Sequence, residues 1–419
     1  MTAAHRLLLS LALWVSLTPA SLLADDTLDS PTVSPTELLE QAWKLTERGY
    51  YDKALLRKKG WSAILERYRA RARSVLGREE THALINSMLG ELKTSHLALV
   101  DGKVYDRYLM GEFRDKPSPR LGVEFVELPD GLYADSLLEG GPAERSGLRR
   151  GDRVLRIDGL PAIDNEDLRG AGHDPGLPGY PGYVMLVDAG QRVRLVVQAE
   201  PSGPTRELVV TARPIHMIQA IANSVRVVEV DGLRIGTIHL WHFMSERVVD
   251  HLVAALRGPL RDADGLLLDI RGRGGSTRVV NQIFNCFSGR RRLWSKPVVV
   301  LQHDHSRSAK EIFSWRWKKQ RGLGPIVGQT TQGACIGTVF RPLKDGSYML
   351  VPAIGVTRLT GGVEIEGRGI DPDIFVDVPA LPFSAGRDVI FERGVQEILP
   401  FLRPARRVTP SRRPRARLY

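Results

Sequence analysis

Cysteine is almost absent from this chain of 419 residues, which contains only Cys286 and Cys335. Two cysteines can form one disulfide or remain as two buried thiols, and they exclude the disulfide framework of a small secreted scaffold. Histidine, cysteine and carboxylate residues nowhere recur at the spacing of metal ligands, so the sequence implies no metal ion and no cofactor. Hydrophobic cores therefore have to stabilise the fold. At roughly 150 residues per domain, we expect two or three domains.

Long apolar runs are missing as well, once the first residues are passed. No later segment approaches the roughly 20 apolar residues that a membrane-spanning helix requires. Residues 1–24 have the order of a secretory signal peptide, with His5 and Arg6 followed by an apolar stretch at 7–15 and small residues up to Ala24. We expect cleavage after Ala24 and a periplasmic or secreted product. An uncleaved membrane anchor is the alternative.

Acidic residues are outnumbered by basic ones, and the net charge is +11. Much of the excess lies in residues 401–419, where seven arginines are interspersed with prolines, a pattern typical of a disordered basic tail. An exported protein meets anionic lipid before it meets nucleic acid. We therefore expect no nucleic-acid partner, and the tail predicts at most a weak contact with a membrane surface.

Residues 25–114 have the pattern of amphipathic helices. Apolar side chains recur at helical spacing in three stretches, at 38–45, 64–72 and 84–89. The first stretch follows the sequence Ser34-Pro35-Thr36-Glu37, in which the serine can cap a helix, the proline suits its first position and the glutamate can complete a capping box. This segment is predicted to be an N-terminal helical domain.

Residues 115–214 contain short β-rich runs separated by Gly, Pro and Asp, whereas residues 215–400 alternate strands with helices. In the second part, Leu266–Leu268 and Val298–Leu301 are short apolar runs of the kind that form buried parallel strands. Helical spacing lies between them, at Val279–Phe287. The sequence predicts an α/β multidomain protein, in which a β-rich domain is inserted between a helical segment and an α/β layer.

The β-rich insert contains the stretch Gly140-Gly141-Pro142-Ala143-Glu144-Arg145-Ser146-Gly147-Leu148-Arg149-Arg150-Gly151-Asp152, which leads into a strand that ends at Asp158-Gly159. This stretch resembles the signature of PDZ domains, in which glycines supply backbone conformations of positive φ. The resemblance implies that a peptide binds by strand addition and that backbone amides receive its terminal carboxylate. The receiving loop would consist of Arg120, Leu121, Gly122 and Val123. A module that only spaces or regulates the catalytic halves is the alternative.

Four further motifs follow in order: Asp269-Ile270-Arg271-Gly272-Arg273-Gly274-Gly275, Ser306-Arg307-Ser308-Ala309-Lys310-Glu311, Gly328-Gln329-Thr330-Thr331-Gln332-Gly333 and Gly367-Arg368-Gly369-Ile370-Asp371-Pro372-Asp373. With the PDZ signature they resemble the C-terminal processing and tricorn-like serine peptidases over most of the mature chain. The resemblance implies a crotonase/ClpP-like α/β catalytic domain and an exported serine endopeptidase acting on protein or peptide substrates. It places the nucleophile three residues before Glu311, at Ser308.

The chain departs from the processing peptidases at one position. In those enzymes a lysine directly after the Gly-x-x-Thr-x-Gly loop acts as general base, and Ala334 stands at that position here. A neutral serine is a poor nucleophile, so another group has to accept its proton. Tricorn-like members use a histidine next to a serine in the helical segment, and Gly90-Glu91-Leu92-Lys93-Thr94-Ser95-His96 resembles that motif.

The resemblance therefore implies a catalytic tetrad of Ser95, His96, Ser308 and Glu366. His96 would deprotonate Ser308 and then protonate the leaving amine, a role that suits histidine because its ordinary pKa is close to neutral. Ser95 and Glu366 would orient the imidazole and stabilise its charged form. An ordinary surface turn is the alternative interpretation of the Ser95-His96 pair.

The amide of Gly274 or Gly275, together with that of Ala309, would bind the oxyanion. Two alternatives stay open in the nucleophile segment: Ser306 as the nucleophile, if the register shifts by two, and Lys310 as the base. A lysine two residues after the nucleophile points to another side of a helix start, which counts against it. The rival to hydrolysis is an inactive, peptidase-like scaffold that binds peptides after the loss of the lysine.

Overall fold

The computed structural model describes residues 33–170, 182–200, 202–378 and 386–403. The predicted signal peptide and nearly all of the basic tail lie outside these ranges. So does most of the Gly/Pro-rich stretch at 170–182, to which the sequence assigns no role. Within the described ranges, no helix is long and apolar enough to cross a bilayer.

Four helices open the described chain: α1 (Pro35–Gly49), α2 (Lys53–Lys59), α3 (Trp61–Ala72) and α4 (Arg78–Gly90). Helix α1 starts where the sequence predicts, because the Oγ of Ser34 accepts from the amide of Glu37 at 3.2 Å and Pro35 takes the first position. The side chain of Glu37 forms an ion pair with Lys344, on a distant hairpin. The apolar faces of the four helices share one core.

A β-hairpin from much later in the chain completes this helical core. Strands β17 (Ile336–Pro342) and β18 (Tyr348–Gly355) pair antiparallel, and β1 (Ala98–Val100) pairs with the other side of β18. Met349 and Val351 of β18 are buried among the apolar side chains of the helices. The N-terminal helices and the segment 215–400 are therefore joined through a shared core.

The insert begins and ends at a pair of strands. The chain reaches it through α5 (Gly102–Val104), a π-helical turn (Tyr105–Met110) and α6 (Gly111–Phe113). Strand β2 (Ser118–Arg120) then runs antiparallel to β11 (Arg213–Ile215). This stem closes the base of the insert, so the chain leaves and re-enters the main body at one place.

Beyond the stem the insert is one sheet with a short helix. Its strand order is β10–β9–β5–β4–β3–β8–β7, with β6 beside β5. Strand β3 is paired with β4 on one side and, at Phe125 and Val126, with β8 on the other, so the centre of β3 has no open edge. The elements are β3 (Val123–Leu128), β4 (Gly131–Leu137), α7 (Pro142–Arg145), β5 (Arg153–Ile157), β6 (Leu160–Pro161), a 3-10 turn (Ala162–Asp164), β7 (Leu168–Gly170), β8 (Gly182–Met185), β9 (Arg192–Gln198) and β10 (Thr205–Thr211).

The main layer is a six-stranded sheet in the order β12–β13–β14–β15–β16–β19, parallel except for β12 at one edge. Its strands are β12 (Arg226–Val230), β13 (Leu233–His239), β14 (Gly265–Asp269), β15 (Val298–Gln302), β16 (Ile326–Gly328) and β19 (Ile374–Phe375). Its helices are α8 (Met217–Asn223), α9 (Arg247–Arg257), α10 (Thr277–Phe287), α11 (Ala309–Lys319) and α12 (Val389–Leu402). Helix α12 packs on one face and the other helices on the opposite face, and β14 and β15 are fully buried between them. The predicted fold class is confirmed.

The carboxyl ends of β14, β15 and β16 lie side by side. The glycine-rich turn follows β14, the serine segment follows β15, and the loop that leads to Ala334 follows β16. Neighbouring parallel strands bring such loops together, and for this reason ligand sites of α/β sheets lie at this end of the strands. Ser95 and His96, after α4, and Glu366, after β18, reach the same place from outside the sheet.

Candidate active site

Ser308 is the last residue before helix α11 and has a strained backbone, with φ 58° and ψ −122°. Residues other than glycine rarely adopt a positive φ, and such strain persists where the surrounding structure holds a functional side chain in place. The residue is half-buried and lines a cavity of about 1060 Å³. The helical domain, the insert and the catalytic layer all contribute walls to this cavity.

Ser306, the alternative nucleophile, is fully buried. Its Oγ accepts from the amide of His303 at 3.2 Å and lies 3.4 Å from the carbonyl oxygen of Ile270, so it stabilises the turn that follows β15. Ser308 lines the cavity, and Ser306 is turned away from it. The structure thus favours Ser308, in the register that the spacing to Glu311 indicates.

Glu366, Ser95 and His96 form a hydrogen-bonded chain. The Oγ of Ser95 donates to Oε2 of Glu366 at 2.9 Å and lies 2.8 Å from Nδ1 of His96. The carboxylate also accepts from the amides of Ser95, at 2.8 Å, and Cys335, at 2.7 Å. Three donors therefore fix Glu366, and Ser95 connects it to the imidazole.

The direction of these bonds determines which nitrogen of His96 carries the proton. Because Ser95 gives its hydroxyl proton to Glu366, its oxygen can only accept from the ring, and we infer that Nδ1 is protonated. The contact of Arg307 with Nδ1, at 3.4 Å, is too long to compete with the Ser95 bond. Nε2 is left with its lone pair, in a residue that lines the same cavity as Ser308.

Glu311 connects the nucleophile to the loop that follows β16. Its buried carboxylate accepts from the amides of Ser308 at 2.9 Å, Gly333 at 2.7 Å and Ala334 at 3.0 Å, and from the hydroxyl of Thr331 at 2.7 Å. Burial raises the pKa of Glu311 to about 7, against these hydrogen bonds, which favour the charged form. Sequence reasoning used this residue only as a spacing marker, because three of its four partners are backbone amides and leave no sequence signal.

The glycine-rich turn lies against the nucleophile. A Cβ on Gly274 would be 2.5 Å from the Cβ of Ser308, and a Cβ on Gly275 would be 2.1 Å from the backbone of Phe243, so both positions require glycine. The carbonyl of Gly274 accepts from the amide of Phe243 at 2.9 Å, which ties the turn to the loop after β13. Ala309 is buried at the first position of α11. The assignment of these amides to the oxyanion stays a prediction.

Lys310, the alternative base, is fully buried and bound by three backbone carbonyls. Its Nζ donates to Leu240 at 2.8 Å and to Trp241 and Arg271 at 2.9 Å each, so all three ammonium protons are used. Burial lowers the pKa of Lys310, whereas its three acceptors require the ammonium form, and the contacts decide its role. The side chain connects the loops after β13 and β14 and has no proton acceptor to offer Ser308.

The residues predicted to receive a peptide carboxylate lie at the start of the insert. Nη1 of Arg120 donates to Glu112 at 3.0 Å, and both side chains are buried. Leu121 belongs to the core of the insert, and the carbonyls of Leu121 and Gly122 bond within the insert. Val123 starts β3, which is paired on both sides at its centre. The Arg120 guanidinium is enclosed in a buried ion pair and is not available to a ligand, and the role of the loop's backbone amides stays a prediction.

Cys286 and Cys335 are both buried and free, which decides between the two alternatives that the sequence leaves open. Burial raises the pKa of the Cys286 thiol to about 11 and that of the Cys335 thiol further. Both side chains are therefore protonated near neutral pH and act as apolar packing groups, although the Cys335 amide has a role in holding Glu366.

One group of possible metal ligands does appear in the described residues, although the sequence indicated none. Ligand atoms of the consecutive residues His303–His305 lie within 4.8 Å of one another. The imidazole of His303 is half-buried, and the positive charges of Arg271, Arg150 and Lys310 act on it. Positive neighbours of this kind oppose the binding of a cation.

Family comparisons agree with the geometry. The model of peptidase family S41 matches residues 281–376, a range that includes Ser308 and Glu366. A PDZ domain model matches residues 119–179, and the model of the tricorn protease C1 domain matches residues 31–90. The chain therefore contains a peptidase family S41 domain. A PDZ domain precedes it in the chain, as the sequence predicts.

The chain is 26% identical to the tricorn protease of Thermoplasma volcanium over 405 residues, which cover 87% of this chain and 36% of that protein. It is 24% identical to the carboxyl-terminal-processing protease of Picosynechococcus sp. over 336 residues, which cover 75% of this chain and 77% of that protein. The solved structure of the tricorn protease matches with a TM-score of 0.52 at 21% identity, over 88% of this chain and 37% of that chain, which shows a shared fold. The chain thus spans little more than a third of the length of these tricorn proteases.

Proposed function

We propose that this S41 peptidase is an endopeptidase that cleaves protein or peptide substrates, with Ser308 as nucleophile and His96 as general base. The observation that carries the proposal is the hydrogen-bonded chain from Glu366 through Ser95 to Nδ1 of His96, beside the cavity that Ser308 lines. With the proton on Nδ1, the lone pair of the ring is on Nε2, the atom that accepts a proton in the reaction. It also places a carboxylate where it stabilises the imidazolium that forms during the reaction.

The reaction would proceed through an acyl-enzyme. Nε2 of His96 takes the hydroxyl proton of Ser308 while the oxygen attacks the scissile carbonyl, and the amide of Gly274 or Gly275 with that of Ala309 stabilises the oxyanion. His96 then protonates the leaving amine, and the acyl group stays on the serine. A water molecule, deprotonated by the same imidazole, hydrolyses the ester and restores Ser308.

The rival function is an inactive scaffold, which the alanine at position 334 favours. The geometry around His96 supports hydrolysis instead, because three donors hold Glu366 in place for a partner, Ser95, that orients the ring. The strained backbone of Ser308 points the same way. A scaffold without catalysis gains nothing from strain that costs roughly 1–3 kcal/mol per residue.

Export is the second part of the proposal, and it rests on the sequence of residues 1–24 alone. Weak contact with an anionic membrane surface is the third, and it rests on the arginines of residues 401–419. Cell fractionation of the full-length chain, with sequencing of the mature N-terminus, tests export and the cut after Ala24. Sedimentation with anionic vesicles, with and without residues 404–419, tests the membrane contact.

Capture of substrate C-termini by the PDZ domain is the finest part of the proposal. Because Arg120 is buried and the centre of β3 is paired, we propose that backbone amides near Leu121 and Gly122 receive the carboxylate. Titration of the Ser308→Ala chain with a peptide and its C-terminal amide tests this role. A preference of about tenfold or more for the free acid supports capture, and equal affinities contradict it.

Labelling with a serine-directed fluorophosphonate, followed by mapping of the modified residue, tests the nucleophile and the base together. We expect label on Ser308 in the wild-type chain and in Ser306→Ala, and none in Ser308→Ala. His96→Ala should label slowly, because the serine keeps its proton. Label on Ser306, or a labelling rate in His96→Ala equal to that of the wild type, would contradict the assignment.

A further inference from the structure

Two carboxylates of the PDZ domain reach the glycine turn, which we define as Arg271–Gly275. Glu124 lies on β3, and Glu139 lies on the loop that follows β4. Each acts at a different point of the turn: Glu124 on the side chain of Arg273, and Glu139, through His239, on the first carbonyl. The mechanism proposed above gives neither carboxylate a role.

The first link is an ion pair in a buried cluster. Nη2 of Arg273 donates to Oε1 of Glu124, and Nη1 donates to Oε1 of Glu112 at 3.0 Å. Glu112, at the end of the helical segment, also accepts from Arg120 at 3.0 Å. Burial opposes the charge of Arg273, but the two carboxylates more than offset this, and the pKa of Arg273 is raised. The arginine is thus held between the helical domain and the PDZ domain, directly before Gly274.

The second link runs through His239. Oε1 of Glu139 lies 3.1 Å from Nδ1 of His239, and Nε2 of the ring lies 3.0 Å from the carbonyl oxygen of Arg271. Oε2 of Glu139 accepts from Nε1 of Trp241 at 2.5 Å. Both partners of the imidazole are acceptors, so the two hydrogen bonds exist together only when both nitrogens carry protons. The link is an imidazolium between a carboxylate and the carbonyl that begins the glycine turn.

The glycine turn has little room for displacement. Gly274 already lies against Ser308, where a Cβ would be 2.5 Å from the serine side chain. Donors to an oxyanion have to lie about 2.7–3.1 Å from the developing charge, so small shifts of the turn weaken them. The PDZ domain can resist such shifts, because the stem fixes its base and β3, which carries Glu124, is paired with β4 and β8.

We propose that the PDZ domain positions the glycine turn for oxyanion stabilisation through Glu124 and Glu139. The two carboxylates are positioning residues: they line the same cavity as Ser308, and they act on the turn through their contacts with Arg273 and His239. This inference rests on the function proposed for the site. It gives the PDZ domain a part in each turnover, whether or not a chain end is bound to it.

The test compares Glu124→Gln, Glu139→Gln and the double variant with a matched control, Glu127→Gln, all in the full-length chain. Glu127 lies on the same strand as Glu124 but accepts from Tyr183 inside the PDZ domain, so its variant controls for the loss of a charge from the domain. We expect kcat to fall about tenfold in each single variant and further in the double variant, with KM within about twofold. Thermal midpoints show whether each variant is folded.

A peptide aldehyde supplies a readout that a merely structural role would not move. Its adduct with Ser308 carries an oxygen where the oxyanion forms, so its affinity should fall by the same factor as kcat in Glu124→Gln and Glu139→Gln. A peptide that is bound but not cleaved forms no adduct with Ser308 and so places no oxygen where the oxyanion forms. Its affinity for the same variants in a Ser308→Ala background should not change.

Three results would overturn the positioning role while leaving the proposed function intact. In the first, Glu124→Gln and Glu139→Gln have the same kcat, and the same affinity for the aldehyde, as the control Glu127→Gln. The second is a raised KM with unchanged kcat, which would assign the carboxylates to substrate binding. The third is a fall in kcat that appears only together with a lowered thermal midpoint. A wild-type chain that neither cleaves peptides nor reacts with the fluorophosphonate contradicts the proposed function itself.

Discussion

The amide of Ser308 donates to Oε2 of Glu311 at 2.9 Å, across the turn at which the nucleophile is presented. The same carboxylate binds three groups of the loop that follows β16. One buried side chain therefore sets the distance between that loop and the serine. It also supplies the contacts that keep the strained backbone of Ser308 in place.

Glu311→Gln should lower activity although glutamine has nearly the same size as glutamate. The amide nitrogen of glutamine is a donor, and it would face N–H and O–H groups that now donate to the carboxylate. We expect kcat to fall about 10- to 100-fold and the free energy of unfolding to fall by about 1–3 kcal/mol. Steady-state hydrolysis and denaturant titration measure the two effects. Glu229→Gln, on the exposed side of β12, is the control and should change neither. Unchanged kcat in Glu311→Gln would show that the carboxylate does not place the nucleophile.

Gly274→Ala should inactivate the peptidase with little loss of fold. The added Cβ would be 2.5 Å from the Cβ of Ser308, so the turn and the serine have to move apart. We expect kcat to fall at least about 100-fold, because both the nucleophile and the oxyanion amides are displaced. Peptide hydrolysis and the far-ultraviolet circular dichroism spectrum check the two parts. A variant with more than half of the wild-type kcat would show that this close contact is not part of the active geometry.

Lys310→Met should destabilise the fold without changing the general base of the reaction, which we propose to be His96. The apolar chain removes the donor that three backbone carbonyls share, of which only that of Arg271 keeps a bond to His239, so the free energy of unfolding should fall by about 3–5 kcal/mol. At a temperature where the variant is folded, the pH dependence of kcat/KM should match that of the wild type. His96→Ala gives the contrast: kcat should fall about 10³-fold or more with the thermal midpoint nearly unchanged. A shifted pH profile in folded Lys310→Met would identify the lysine as the base instead.

The stability of the protein should depend on pH through His239. Burial lowers its pKa, Asp269 and Glu139 raise it by more, with Arg271 opposing, and the net shift is upward. A group whose pKa is raised by folding contributes its full stabilisation of the folded state at pH values below its ordinary pKa. This stabilisation is lost as the pH rises through the pKa of the group in the folded state. The thermal midpoint should therefore fall as the pH rises above about 6.5.

His239→Gln isolates this effect. The variant should have a lower thermal midpoint than the wild type at about pH 6, and the difference should shrink towards alkaline pH, because the wild-type imidazolium loses its charge there. Calorimetric scans at equal ionic strength measure both proteins. The other titrating groups are shared and cancel in the difference. A difference that stays constant between about pH 6 and pH 9 would contradict the charged form of His239.

Local signals account for the parts of the fold that the sequence predicts. Ser34 and Pro35 mark the start of α1 because a cap and a fixed φ act within one turn. The runs Leu266–Leu268 and Val298–Leu301 lie in buried parallel strands because a strand covered on both faces has to be apolar at every position. The motifs of the catalytic segment are equally local, and they indicated Ser308.

Contacts between distant segments account for what the sequence does not predict. The pair Glu139 and His239 is separated by 100 residues, and the pair Glu124 and Arg273 by 149. No periodicity or spacing records such pairs, because each partner is an ordinary charged residue in its own segment. The hairpin of β17 and β18 was missed for the same reason: its apolar positions fit a sheet, and only the three-dimensional structure shows that helices cover them.

The hairpin of β17 and β18 also has a consequence for biosynthesis. At about 5–20 residues per second, a ribosome takes on the order of half a minute to pass from α4 to β18, and during that time the first helices lack part of their core. Glu366, the partner of Ser95, is translated later still, since it lies 271 residues after Ser95 in the chain. A nascent chain therefore lacks the complete proposed tetrad until Glu366 has been translated and has folded against Ser95.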